Sequence, residues 1–261
     1  SPSNATQQSD TAADLERNLV KQNSPSTLSN GGSATIESPS QADIDSNQLL
    51  SKSFGWLGHN SDLNNSGTAN TRLSSASQTP QAAIASGSYQ INDLYSGYRW
   101  AVGTTQLTYS FTTQSGLNPM SAAVQNNYRE IFNWLSNVIN INFVETTGTG
   151  QIQIFKSTSP SYAYAYYPTN GDIYLRDSYD YAGDTNGFQN RAGSHGWTAL
   201  VHELGHALGL KHSFESPALP SAEDKQTNTV MTYTFDSYEP ATFMRYDIET
   251  LQSLYGAKAH N

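Results

Sequence analysis

Residues 202–212 read His-Glu-Leu-Gly-His-Ala-Leu-Gly-Leu-Lys-His. His202 and His206 stand four apart, so on a helix both imidazoles project from one face. They can take two corners of a zinc tetrahedron. Glu203, beside the first of them, can reach a water held by the ion. Gly209 ends the helical path, because glycine takes a positive φ at little cost. The turn lets His212 come back toward the same point as a third ligand. Three neutral imidazoles leave the ion doubly positive with one position open for water. Zinc lowers the pKa of such a water toward about 7. Glu203 then takes its proton and can pass it to a leaving amine. A lone H-E-x-x-H arises by chance. Gly209 and His212 at fixed offsets, in a chain with 6 histidines, make the pattern specific. His195 falls at the expected helix start and reads as structural, and His59 and His260 read as exposed.

The flanking sequence gives the frame. Ser194 is the expected cap of a helix from Gly196 to Leu210. Upstream, residues 107–111, 141–146, 151–157, 162–168 and 171–176 read as strands, with Gly148, Gly150 and Asn170-Gly171 as turns. Between the first two, Ala123, Val124, Tyr128, Ile131, Phe132, Leu135 and Val138 recur at helical spacing over Pro119 to Ile139, with Pro119 in the first turn. Residues 177–193 and 213–229 read as loops. The chain closes with a helix from Arg245 to Tyr255, stopped by Gly256. Strand, helix, strands, helix, loop and helix predict a mixed, α+β domain.

The first 87 residues differ. Eighteen are Ser, and only four are Lys or Arg. Such a segment buries little apolar area. Residues 12–19 could form a helical turn, and residues 49–57, with Phe54, Trp56 and Leu57, are its densest apolar cluster. The expected division is therefore a low-complexity segment, 1–87, and a catalytic domain, 88–261. The net charge of −9, from 22 acidic and 13 basic residues, makes a nucleic-acid backbone a poor partner. With no cysteine, disulfides, thiolate metal sites and a cysteine nucleophile are excluded. No run of about 18 apolar residues is present to span a membrane.

The pattern H-E-x-x-H-x-x-G-x-x-H, followed by Met231 in Asn228-Thr229-Val230-Met231-Thr232-Tyr233, resembles the metzincin metallopeptidases. Within them the chain looks like the serralysins rather than the matrixins or reprolysins. Tyr233 stands two residues after the methionine, and the closing stretch Tyr246 to Gly256 resembles the last helix of a serralysin catalytic domain. The resemblance covers about residues 90–257. It implies a two-lobed domain, with the sheet and zinc helix above a cleft and a lower lobe from Gly209 onward. It makes Met231 a hydrophobic base under the histidines. It makes Tyr233 a resting zinc ligand that swings away to donate a hydrogen bond to the reacting oxygen. It assigns substrate to an edge strand, Tyr162, Ala163, Tyr164, Ala165 and Tyr166, whose run of tyrosines suggests a partly exposed face. Residues Thr234 to Tyr238 would help wall the pocket beyond the scissile bond.

The resemblance further implies one catalytic Zn2+, protein or peptide substrates, and a secreted bacterial monomer without a membrane span. Serralysins carry a calcium-binding repeat domain after the catalytic one, and no such array occurs in this sequence. Calcium stays open, and the acidic loop with Asp177, Asp180 and Asp184 could bind one ion. The N-terminal segment reads either as a linker with a sticky spot or as a pro-segment lying against the domain that follows; in the second case an aspartate, with Asp43, Asp45 and Asp62 as chemical candidates, or a backbone carbonyl would have to block the metal. Two other functions remain open on sequence: a metal-binding interaction module that is latent or inert, and a zinc amidase on a non-peptide substrate. Glu203 speaks against the first, since a structural zinc site needs no base.

Overall fold

The structure is a computed structural model that describes residues 88–236 and 238–259. The expectations for residues 1–87, including the segment boundary, the pro-segment role, His59 and the aspartates 43, 45 and 62, lie outside the described residues, as does His260. The element order is α1 (Tyr89–Leu94), β1 (Gln106–Thr113), α2 (Ala122–Ser136), β2 (Asn142–Glu145), β3 (Ile152–Ser157), β4 (Ala163–Ala165), β5 (Ile173–Arg176), a 3-10 turn at Asp177–Tyr179, α3 (His195–Ala207) and α4 (Arg245–Tyr255).

The five strands form one sheet in the order β2-β1-β3-β5-β4. The first four are parallel and β4 runs antiparallel to β5. Register places Phe111 beside Ile154, Ile154 beside Ile173, and Ile173 beside Ala165. Because side chains alternate along a strand, this row and its neighbours Leu107, Tyr109, Ile152 and Leu175 share one face. Helix α2 covers it: Phe132 stacks on Tyr109 with ring centroids 4.1 Å apart and touches Phe143 at 4.8 Å. Its stripe Val124, Tyr128, Ile131, Phe132 and Leu135 is buried, as the 3.6-residue spacing predicts. The opposite face carries a stack of Phe155, Tyr174 and Tyr164, at 4.6 and 4.8 Å. Helix α3 lies against β4 and β5, which brings the 202–206 segment to the terminal strand of the sheet.

Past Gly209 the chain forms a second lobe with little regular structure until α4, which packs against α1. The domain is thus a two-lobed α+β unit with a mixed sheet, a histidine-bearing helix and a C-terminal helix.

Three expectations need adjusting. Helix α2 starts at Ala122, not Pro119, because the Ser121 hydroxyl caps it by accepting from Val124 N. Helix α3 ends at Ala207, short of Leu210, because Gly209 turns the chain. The tyrosine-rich edge is also more covered than its composition suggests: Tyr162, Tyr164 and Tyr167 are buried, and only Tyr166 is half-buried. Tyr162 is enclosed by the rings of Tyr179, Phe188 and His195. The short helix α1 was not expected from the sequence. Ser88 makes no side-chain cap for it, and Tyr95, just past its last residue, bridges to Leu210 of the second lobe.

Candidate active site

Ser194 caps α3 by accepting from Trp197 N, as expected. The helix then runs through His202, Glu203 and His206, all buried. It must pass close to the loop carrying Met231. Gly205 makes that possible: a Cβ there would stand 2.6 Å from the Met231 sulfur and 3.3 Å from a Phe243 ring carbon. Gly209 comes next at φ 104°, and a Cβ on it would lie 2.2 Å from the Tyr98 carbonyl. The reversed chain is then pinned to residues 94–96. Ser96 N donates to Gly209 O (3.0 Å) and Lys211 N donates to Leu94 O (2.8 Å). This hairpin-like pairing returns His212 to the helix.

One ligand atom from each of His202, His206 and His212 lies within 4.8 Å of the others, with all three residues buried. Their far nitrogens are all engaged. His202 Nδ1 donates to the Val230 carbonyl and His206 Nδ1 to the Leu210 carbonyl, each at 2.8 Å. His212 Nδ1 meets Glu215 Oε1 at 2.6 Å. A carbonyl only accepts, so the first two Nδ1 atoms carry hydrogens, and the carboxylate draws the third hydrogen to its side. That leaves the Nε2 lone pairs facing inward. The Nε2 atoms of His206 and His212 are 3.1 Å apart. Two nitrogens bound to one tetrahedral zinc at about 2.0–2.1 Å would stand about 3.3 Å apart. The donor set fits a zinc ion, whose charge would relieve the facing lone pairs. Burial, and next the nearby His212, pulls the His202 pKa down to about 3 and that of His206 well below the ordinary range, so both rings are neutral ligands at neutral pH.

Tyr233 lies beside the cluster. Its hydroxyl is 2.9 Å from His212 Nε2, and its ring is 4.8 Å from that of His212 and 5.7 Å from that of His202. Met231 is fully buried beneath Gly205. Glu203 is fully buried beside His202, and its charge adds to burial in raising the hydroxyl pKa of Tyr128. The expected substrate residues lie on the terminal strand of the sheet, which packs against α3. Ala163, Tyr164 and Ala165 form β4, and Tyr162 and Tyr166 bound it, with Tyr166 N donating to Asp172 O and Arg176 N to Tyr162 O. In the second lobe, Phe235 and Tyr238 of the expected wall are exposed.

Several residues that hold the site were not singled out in the sequence. Asp247, in the first turn of α4, is fully buried and accepts from Thr229 Oγ1, Val230 N and Met244 N. It thereby fixes Val230, whose carbonyl holds His202. Ser213 donates to Asp224 and bonds the Met231 carbonyl through its backbone N–H. An acidic residue in a helix's first turn was a visible signal for Asp247; Glu215 and Lys211 carried none. The carboxylates of the acidic loop have protein partners. Asp180 pairs with Lys156 and accepts from Ser121 N, Asp184 accepts from Tyr181 Oη and Asn186 N, and Asp177 pairs with Arg176.

No helix among the described residues is long and apolar enough to cross a membrane. The serralysin of Proteus mirabilis is 32% identical over 126 residues, covering 41% of this chain and 24% of that protein. A serralysin of Photorhabdus sp. (strain Az29) is 30% identical over 210 residues, 61% of this chain and 41% of the relative. Metalloendoproteinase 1 of Glycine max is 32% identical over 139 residues, 46% of this chain and 44% of the relative. The matched stretches thus span less than half the length of these relatives. The family model for the matrixins, peptidase family M10, matches residues 99–256, which contain all three clustered histidines and Glu203. The family match thus corrects the expected separation from the matrixins: the chain belongs to the matrixin peptidase family, among the metzincin-type zinc metallopeptidases.

Proposed function

We propose that the chain is a zinc-dependent endopeptidase of the serralysin type, in which Glu203 is the general base. The observation that carries the reading is the convergence of His202, His206 and His212 with every Nδ1 anchored and Glu203 next along α3. A zinc ion held there by His202, His206 and His212 would supply Lewis acidity toward a scissile carbonyl and a water. Glu203 accepts the water's proton during attack and returns it to the departing amine. Its burial keeps that transfer away from bulk solvent. The Tyr233 hydroxyl, beside His212 Nε2, donates to the carbonyl oxygen as negative charge grows on it, an interaction worth roughly 3 kcal/mol where measured elsewhere. No residue forms a covalent link to substrate.

Two further observations support peptide substrate and the serralysin assignment. β4 is the terminal strand of the sheet and lies against α3, the geometry by which an extended peptide adds to a sheet. Tyr233 stands two residues after Met231, within reach of the ligand nitrogen. The Ser-rich residues 1–87 fit a pro-segment of a secreted, monomeric enzyme. Casein digestion followed by mass spectrometry tests the proposal. Internal cuts that stop with a chelator and return with added zinc support it; no cutting by the zinc-loaded chain, with residues 1–87 removed as well as present, overturns it.

A further inference from the structure

We propose that Glu215 is a positioning residue of the metal centre, whose negative charge holds the His212 ring and raises the site's affinity for zinc. The inference rests on the reading of the three histidines as zinc ligands and goes beyond it. The ligands are not equivalent. His202 and His206 ride on α3, and each gives its Nδ1 hydrogen to a neutral backbone carbonyl. His212 lies beyond the Gly209 turn, so no helix fixes its ring. Its Nδ1 meets a carboxylate instead, at 2.6 Å, with its own side chain fully covered and that of Glu215 only 9% exposed.

The backbone that carries the carboxylate is itself held in place. Glu215 N donates to the His212 carbonyl at 3.2 Å, closing a tight turn. From the other side the buried Lys211 ammonium donates to the carbonyls of Glu215 (2.8 Å), Pro217 (2.6 Å) and Asp93. Phe214 lies parallel to the His212 ring, 5.0 Å away at 6°. The imidazole is therefore fixed at its face by an aromatic ring and at Nδ1 by a charge. A carboxylate at that position makes Nε2 a stronger donor and offsets part of the charge of a bound dication. The carbonyls that hold the Nδ1 atoms of His202 and His206 carry no net charge and supply less of either effect.

The test compares the full chain with Glu215→Gln. The glutamine oxygen can accept the same Nδ1 hydrogen, so the variant removes charge while keeping the bond. Both proteins are stripped of metal and titrated with zinc against a chromophoric chelator, and the melting temperature of each metal-free form is recorded. The expected result is a zinc Kd raised about 10- to 100-fold with an unchanged metal-free melting temperature. A Kd within about twofold of the parent overturns the proposal. If the glutamine chain does not fold without metal, Glu215→Asp replaces it. Its carboxylate falls one methylene short of Nδ1, and affinity should drop at least about tenfold; parent-like affinity overturns the proposal there too. A parent chain that binds no zinc would sink the site itself. A parent that binds zinc and cuts casein, beside a variant of equal affinity, would sink only the role of Glu215.

Discussion

The sulfur of Met231 lies directly under Gly205, so close that a Cβ on the glycine would stand 2.6 Å from it. Gly205 sits between His202 and His206 on α3, and Met231 belongs to the loop whose Val230 carbonyl holds His202. Replacing Gly205 by Ala must displace the Met231 side chain or shift the helix. Phe243, 3.3 Å from the same point, leaves little room for the sulfur to retreat. Overpacking of this kind costs about 1–3 kcal/mol. Urea unfolding of the Gly205→Ala chain should show that loss, along with weaker zinc binding; parent-like values of both would mean the contact is easily relaxed.

Asp247 predicts an unusual pH dependence. Burial pushes its carboxyl from 3.8 up to about 7, against the pull of Thr229, Val230 and Met244. Between those values the folded chain keeps a proton that the unfolded chain has lost. The stabilising contribution is thus fully present below 3.8 and is lost as pH rises through about 7. Asp247→Asn can keep the same neighbours without titrating. The stability of the parent relative to this variant should fall between about pH 5 and about pH 8, measured by urea unfolding at each. A difference that stays flat or grows would contradict a protonated Asp247.

His202 pulls in the opposite direction. Its pKa lies near 3 in the metal-free fold against an ordinary 6.5, chiefly through burial. The unfolded chain therefore binds a proton that the fold refuses across that window. The metal-free protein should lose stability as pH falls from about 6.5 toward about 3, and His202→Gln should lessen the slope. Chemical denaturation of the stripped protein over that range checks this.

Tyr233→Phe removes only the hydroxyl that lies 2.9 Å from His212 Nε2. If that hydroxyl stabilises charge on the reacting oxygen, kcat should fall about 10²- to 10³-fold, with zinc content unchanged. A variant that retains full kcat would remove Tyr233 from the reaction.

How much was legible in the sequence varies with the range of the interaction. The histidine helix, its Ser194 cap and the Gly209 turn arise from local periodicity and backbone preference, and α4 falls at Arg245–Tyr255 as expected. The five strands were legible from alternation, with ends shifted by a few residues. α1 was not, since it is a six-residue helix without a side-chain cap, held by its packing on α4. The burial of Tyr162 was not legible because it depends on Tyr179, Phe188 and His195, which arrive from later in the chain. Asp247 reaches Val230 from 17 residues away. Glu215 is three residues from His212, but only the loop conformation turns its carboxylate toward Nδ1.

The central claim is that Glu203, beside three histidine ligands, is the base of a zinc peptidase. The most direct test measures zinc content and casein hydrolysis for the parent chain and Glu203→Ala side by side. Both should hold about one zinc per chain, with casein cleavage at least about 10²-fold slower in the variant than in the parent. Zinc-loaded Glu203→Ala that cuts at the parent's rate would contradict the claim.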